Sequence, residues 1–167
     1  MFQKGKKSSP LTGGLNIMIV GCGKVGKTLV ERLSKEGHDI SVVDKSAARL
    51  QSVTNMYDVF GVVGNGASFT VLKEAGIEHT DILIAVTDSD ELNLLCCLVA
   101  KRSGNCDVIA RVRTPDYSEE KTYLKEKLGL AMMINPEQEA ANAISRILYM
   151  PTALDVAPFA RGHVEMV

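Results

Sequence analysis

The sequence predicts a doubly wound α/β fold, a parallel sheet of about six strands with helices on both faces. Three observations carry this. From Asn16 onward, short apolar runs alternate strictly with helical patterns. The runs are apolar almost without interruption, as strands buried on both faces must be. The first run also ends in a glycine-rich turn that opens a helix.

Asn16 to Val20 reads as the first buried strand, and Lys24 to Glu36 as a helix with Val25, Leu29, Val30 and Leu33 on its inner face. Gly37 stops that helix. A second strand, Asp39 to Asp44, leads into a helix from Ser46 to about Met56. Val59 to Val63 is a third strand closed by Gly64-Asn65-Gly66, and Ser68 to Ala75 a short helix ended by Gly76. Ile82 to Val86 is a fourth strand. The helix after it, Asp90 to Arg102, is apolar almost all round between Leu92 and Ala100, so it packs on more than one side, against the sheet or a second subunit. Val108 to Val112 is a fifth strand, Ser118 to Leu128 a charged, solvated helix, and Met132 to Asn135 a sixth strand. Pro136 suits the first turn of a last helix reaching about Tyr149, whose stripe is Ala140, Ala141, Ile144, Ile147 and Leu148.

The 167 residues suffice for one well-cored domain and a little more. A share of 46% hydrophobic and 23% charged residues is that of a globular chain, and a net charge of −1 recommends neither nucleic acid nor an anionic membrane as partner. No apolar run reaches the roughly 18 residues of a spanning helix, and no leader-like apolar segment opens the chain. Residues 1–15, rich in Lys, Gly, Ser and Pro, read as a flexible tail. Cys22, Cys96, Cys97 and Cys106 show no disulfide or metal spacing and read as buried thiols; His38, His79 and His163 form no metal pair. No metal site is expected.

In such a sheet the ligand lies beyond the C-terminal strand ends, at the topological switch point. There the sequence offers Gly21-Cys22-Gly23-Lys24-Val25-Gly26-Lys27-Thr28, which satisfies both G-x-G-x-x-G and G-x-x-x-x-G-K-T. The first is a Rossmann dinucleotide turn, the second the P-loop of a nucleoside triphosphatase. Both set backbone N–H groups and a helix N-terminus against phosphate. A P-loop also needs an acid for Mg²⁺ at a second strand end, and the candidates are Asp44 and Asp88, the latter following Thr87 one residue past its strand. A Rossmann site needs an acid closing the second strand, roughly 20 residues on, to hold the adenosine ribose. Asp44 closes Ile40-Ser41-Val42-Val43 and favours the Rossmann reading. Gly21 then makes the tight turn, Gly23 admits the pyrophosphate and Gly26 allows close helix–sheet packing. A carboxylate at Asp44 favours NAD over NADP, a preference that Lys45 weakens.

Further motifs stand in order behind that turn: Gly64-Asn65-Gly66-Ala67-Ser68, Leu72 to Ile77, Asp81 to Asn93, and Ile109-Ala110-Arg111-Val112-Arg113. Asn135-Pro136-Glu137, Pro151 and Phe159-Ala160-Arg161-Gly162 follow. With residues 16–44 they make the chain resemble the N-terminal RCK (KTN) domain of TrkA, the peripheral regulatory subunit of bacterial Trk-type potassium uptake systems. The resemblance implies a domain that binds NAD(H), or ATP or ADP in the same cleft, and passes the ligand state to a membrane-embedded potassium channel or transporter subunit. It implies a cytoplasmic homodimer or higher ring, peripheral at the inner face of the membrane, with the last helix crossing to a neighbouring subunit. Carried over by position, Gly21, Cys22, Gly23, Lys24 and Val25 line the pyrophosphate and Asp44 takes the ribose hydroxyls. Asn65 lies at the adenosine end, and Thr87, Asp88 and Arg111 complete the site. Arg111 offers a fixed charged fork for phosphate, or it is a structural partner for Asp44 or Asp88.

The resemblance assigns residues 16–150 to the nucleotide-binding domain and 151–167 to a linker and the opening of a C-terminal subdomain, with Phe159 to Val167 as its first strand. The chain is then a fragment or an unusually short member. No catalytic residue is expected. The competing enzyme reading is a small NAD-dependent oxidoreductase, for which Tyr123-x-x-x-Lys127 supplies the one acid candidate, on a helix whose charges look solvated. Asp88, Asp90 and Glu91 suit the first turn of their helix, with Asp88 or Ser89 as its cap.

Overall fold

The computed structural model describes residues 14–149, 157–159 and 164–166. Residues 1–13 and the expected linker at 151–156, with Pro151 and Arg161-Gly162, lie outside the described residues.

The sheet has six strands: β1 (Asn16–Val20), β2 (Asp39–Asp44), β3 (Phe60–Val63), β4 (Ile82–Ala85), β5 (Asp107–Arg111) and β6 (Met132–Ile134). Their order across the sheet is β3-β2-β1-β4-β5-β6. β1 pairs in parallel with β2 and with β4, β2 with β3, and β4 with β5. The chain therefore winds outward from β1 to β3, returns to β1's other side at β4, and continues to β6. That reversal puts the switch point between β1 and β4, where a crevice opens beyond the carboxyl ends of the strands.

The helices are α1 (Lys24–Lys35), α2 (Ala47–Thr54), α3 (Phe69–Glu74), α4 (Asp90–Ser103), α5 (Pro115–Glu119), α6 (Lys121–Leu128) and α7 (Pro136–Tyr149). A 3-10 turn at Ile77–His79 joins α3 to β4. Central strands are buried on both faces: Met18, Ile19, Val42, Val43 and Leu83 are all inaccessible, which is why their sequences are apolar rather than alternating. In α1 only Gly26 and Val30 are buried, while Val25, Leu29 and Leu33 are half-buried. In α4, Cys96, Cys97 and Ala100 enter the core and Leu95 is exposed, so the sheet claims one side of that helix. All four cysteines are buried free thiols.

Two elements depart from the sequence-based expectation. The single charged helix expected over 118–128 is two helices. Pro115, whose missing N–H costs nothing at the first helical position, starts α5 three residues earlier. Glu120, at φ −92° and ψ 13°, then leaves helical geometry before α6 begins. In place of one opening strand after Phe159, two short strands, β7 (Ala157–Phe159) and β8 (Val164–Met166), pair antiparallel.

The chain divides into two compact units, 1–133 and 134–167. In the second, Asn135 caps α7 by accepting the Gln138 N–H on its Oδ1 at 3.1 Å. Ala140, Ala141, Ile144, Ile147 and Leu148 of α7 are all exposed, Leu148 by 75%.

Candidate nucleotide-binding cleft

The ladder at the switch point runs one residue past each strand. Gly21 N–H donates to the Val43 carbonyl at 2.8 Å, Val86 N–H to Val20 at 2.8 Å and Gly64 N–H to Asp44 at 2.9 Å. The ends of β1, β2, β3 and β4 are thereby held side by side, and the loops leaving them wall a cleft of about 360 Å³. Gly21, Asp44, Lys45, Arg49, Gly64, Gly66, Thr87, Asp88 and Leu92 are among its lining residues.

The glycine turn shows a separate reason for each glycine. Gly21 has φ +107°, a conformation that side chains strain, and a Cβ there would press on the Val86–Thr87 backbone at 3.0 Å. A Cβ on Gly26 would collide with the Gly21 carbonyl oxygen, so α1 lies directly on the turn. Gly23 is different. Its φ of −68° suits any residue, and a Cβ there would meet nothing within 4 Å. The protein's own packing does not require that glycine. It stands as the N-cap of α1 with no side chain to cap it, and the first turn contains no acid. The N–H groups of Lys24, Val25 and Gly26 reach no intrahelical carbonyl there, and they carry the positive end of the helix dipole.

Asp44 is fixed behind this turn. Its Oδ2 accepts the Cys22 N–H at 2.6 Å and its Oδ1 the Ser46 N–H at 2.7 Å, while the residue is only 8% exposed. One carboxylate thus sets both the glycine turn and the start of α2, where Ser46 Oγ accepts the Arg49 N–H as N-cap. Burial, with the Asp44 charge adding and that of Arg49 opposing, pushes the Cys22 thiol up to about 12, so it is neutral and unreactive. Arg49 Nη1 lies 4.0 Å from Asp44 Oδ2 and 3.8 Å from Asp88 Oδ2.

On the β4 side the hub is Asn93, which is fully buried. Its Oδ1 accepts the Thr87 N–H at 2.8 Å and the Thr87 hydroxyl at 2.7 Å, and its Nδ2 donates to the Arg111 carbonyl at 2.8 Å. Ser89, not Asp88, caps α4 by accepting the Leu92 N–H at 3.1 Å. Asp90, 5% exposed, accepts three hydrogen bonds on Oδ2, from the N–H groups of Arg113 and Thr114 and from the Thr114 hydroxyl. Burial opposes its ionisation, but those donors and the Arg113 charge outweigh it and hold the carboxyl below the usual range.

Of the residues singled out in the sequence, Gly21, Asp44, Thr87 and Asp88 meet in the cleft wall. Cys22 is bonded to Asp44, and Gly23, Lys24 and Val25 begin α1 beside it. Asn65 turns its Oδ1 onto the Ala67 N–H of its own loop, and the neighbouring glycines line the cleft instead. Arg111 is buried at the end of β5 and does not line the cleft. Arg49 and Asn93 carry parts that sequence reasoning did not give them. The signals were an arginine one helical turn past the strand-end acid, and an asparagine inside an otherwise apolar helix.

The features of the competing readings lie elsewhere. The Thr28 hydroxyl donates to the Lys24 carbonyl at 3.0 Å, and Lys27 is not in the cleft wall. Tyr123 is exposed on α6, its ring under the Lys127 ammonium at 5.9 Å. Among the described residues no group of acidic, histidine or cysteine side chains could hold a metal ion, and no helix is long and apolar enough to cross a membrane.

Comparison with known proteins matches residues 17–136 to the TrkA-N domain. The chain is 40% identical over 155 residues to a Trk system potassium uptake protein TrkA from Halomonas elongata, covering 92% of this chain and 34% of that protein. It therefore spans about a third of the length of the first curated relatives it matches. Among solved structures, the TrkA-N domain of the inner membrane protein ybaL from Escherichia coli superposes with a TM-score of 0.71 at 24% identity, over 83% of this chain and 99% of that one. The GsuK channel bound to NAD gives a TM-score of 0.62 at 22% identity, over 75% and 22%. At these identities the likeness to the two structures is one of fold.

Proposed function

Because the chain belongs to the TrkA-N domain family, we propose that it is a regulatory nucleotide-binding domain that controls potassium uptake and does no chemistry of its own. The reading takes NAD(H) as the ligand. Gly21, Cys22, Gly23, Lys24 and Val25 would line the pyrophosphate and Asp44 would take the ribose hydroxyls. Asn65 would lie at the adenosine end, with Thr87 and Asp88 completing the site and Arg111 behind them at the end of β5. One observation carries this. Gly23 is the glycine of the turn that the protein's own packing does not need, and it stands where close approach of a pyrophosphate would need it. A bound nucleotide supplies a signal: it favours the conformation that binds it better, and that preference is passed on.

The relatives named for Trk potassium uptake support a membrane-embedded Trk-type channel or transporter subunit as the partner. On this reading the domain works on the cytoplasmic side, peripheral to the membrane. The exposed stripe of α7 supports a homodimer or ring built through that helix. ATP or ADP in the same cleft is the second reading, favoured by Lys45 and Arg49 on the wall, which suit added phosphate charge.

The test is thermal unfolding with NADH, NAD, ATP or ADP at millimolar concentration. A ligand at 100 times its Kd adds about 2.7 kcal/mol, a rise of several degrees. Asp44→Ala removes the shift and Lys27→Ala keeps it; the reverse pattern would restore the P-loop alternative. No shift with any of the four overturns the proposal.

A further inference from the structure

We infer that Arg49 is a further binding residue of this cleft: its guanidinium, set between Asp44 and Asp88, closes over the adenosine end of a bound nucleotide with Asp88 as its anchor. The inference rests on the nucleotide-binding reading above and adds the residue that covers the ligand.

The two carboxylates belong to different strand ends. Asp44 closes β2, and Asp88 follows β4 on the other side of β1. A guanidinium 4.0 Å from one and 3.8 Å from the other therefore reaches across the switch point. Both distances are those of ion pairs and longer than hydrogen bonds. The side chain of Arg49 is 53% exposed and that of Asp88 is 85% exposed. An ion pair so placed contributes little to folding, because water screens both partners. It is too loose to be a structural clamp, yet it lies on the wall of a cleft of about 360 Å³.

The rest of that wall explains what the arrangement suits. Gly64 and Gly66 line it without side chains, beside the half-buried Leu92, with the inaccessible Val20 and Val43 behind them. A Cβ on Gly66 would collide with Val20, so this surface has no room to grow. A wall of bare glycine backbone with one leucine beside it leaves room for the face of a purine, and a planar guanidinium is the side chain that stacks on such a face from the other side. Ribose hydroxyls that donate to Asp44 replace the Arg49 contact there. The Arg49–Asp88 pair persists and loses water on its inner side, which strengthens it. The pair thus does little in the free protein and gains strength when a nucleotide lies beneath it.

NADH release, followed by nucleotide fluorescence after rapid dilution, tests this in the unaltered chain, Arg49→Gln, Asp88→Asn and the double variant. Each single change is expected to speed release about tenfold while leaving association nearly unchanged. The double variant should release no faster than either single one, because each change breaks the same pair. Arg49→Lys, which keeps the charge and loses the plane, should fall between. Ligand-free melting temperatures should agree within about a degree, given the exposure of the pair. Release from Arg49→Gln at the original rate, or effects that multiply in the double variant, overturns the inference while NADH binding by the unaltered chain leaves the nucleotide reading standing. If the unaltered chain binds no NADH, both fall.

Discussion

The two sides of the cleft are built on opposite principles. On the β1–β2 side, the glycine turn leaves the first N–H groups of α1 without intrahelical or side-chain acceptors, and Gly23 has open space where a side chain would stand. On the β4–β5 side, Thr87, Asn93, Asp90 and Thr114 bond among themselves and to the backbone around Arg111 and Arg113. The first side has donors to give to an anion. The second spends its hydrogen bonds largely on itself, Asp90 Oδ1 having only the Arg113 charge at 3.7 Å, and ties the ends of β4 and β5 into one piece. A regulatory site needs both: one wall that a ligand completes, and one stiff enough to carry the consequence. Arg49, through Asp44 and Asp88, joins the two sides by ion pairs.

The contrast breaks most heavily where packing is tightest. Gly26→Ala sets a methyl group against the Gly21 carbonyl, and backbone cannot move aside as a side chain can. A loss of about 3 kcal/mol is expected by urea unfolding. On the other wall, Asn93→Ala removes the partner of the Thr87 N–H, the Thr87 hydroxyl and the Arg111 carbonyl at a fully buried position. Its expected cost is about 2–3 kcal/mol, since buried polar groups are left unmatched. Hydrogen exchange should report the damage at the ends of β4 and β5 and spare β2. A loss spread evenly over the sheet would mean that the β4–β5 wall is not a unit of its own.

How much of this could be read from the chain differs in the same way between the two sides. The turn and Asp44 were legible because their chemistry is local: a glycine at a left-handed φ, a strand-end acid, a fixed spacing of roughly 20 residues between them. The six strands were legible because burial on both faces leaves long apolar runs. The Asn93 hub was not. It acts through residues 6 and 18 positions away in sequence, and a lone asparagine in an apolar helix states no partner. Asp90 reads as a dipole-complementing acid at a helix start, and only the fold brings Arg113 and Thr114 onto it. The break at Glu120 has no glycine or proline of its own to mark it; Pro115, five residues earlier, was the available sign.

Gly23→Ala sharpens the comparison from the open side. With φ at −68° and no atom within 4 Å of the new Cβ, the fold should lose less than about 1 kcal/mol, most of it from alanine's poor fit to an N-cap. Nucleotide binding should nevertheless weaken about tenfold or more, because the methyl group stands where the backbone meets the pyrophosphate. Gly26→Ala and Gly23→Ala, three residues apart in one turn, would then separate stability from binding. Titration calorimetry with NADH, beside urea unfolding of the same samples, measures both. Binding unchanged in Gly23→Ala would remove the turn from the ligand's path.

On the closed side the expected effect is of similar size and depends on pH. The Asp90 carboxyl is held below its usual range by donors from Thr114 and Arg113 that outweigh burial. The folded protein therefore takes up that proton less readily than the unfolded chain. Its stabilisation is complete above the unfolded carboxyl value of about 3.9 and fades as pH falls through the lower folded value. Asp90→Asn loses the charge and places an amide among donors. Near pH 7 the variant should be less stable by an amount comparable to one charge-assisted hydrogen bond, about 1.5 kcal/mol. Denaturation curves of the two proteins should then converge as pH is lowered from 5 to about 2.5. Glu31, also held below the usual range, titrates alike in both proteins and cancels in the difference, whereas Glu91, whose ionisation the Asp90 charge opposes, ionises slightly more readily in the variant. A gap that stays constant across that range would mean that Asp90 acts through shape alone, and the closed wall would then owe nothing to its charge.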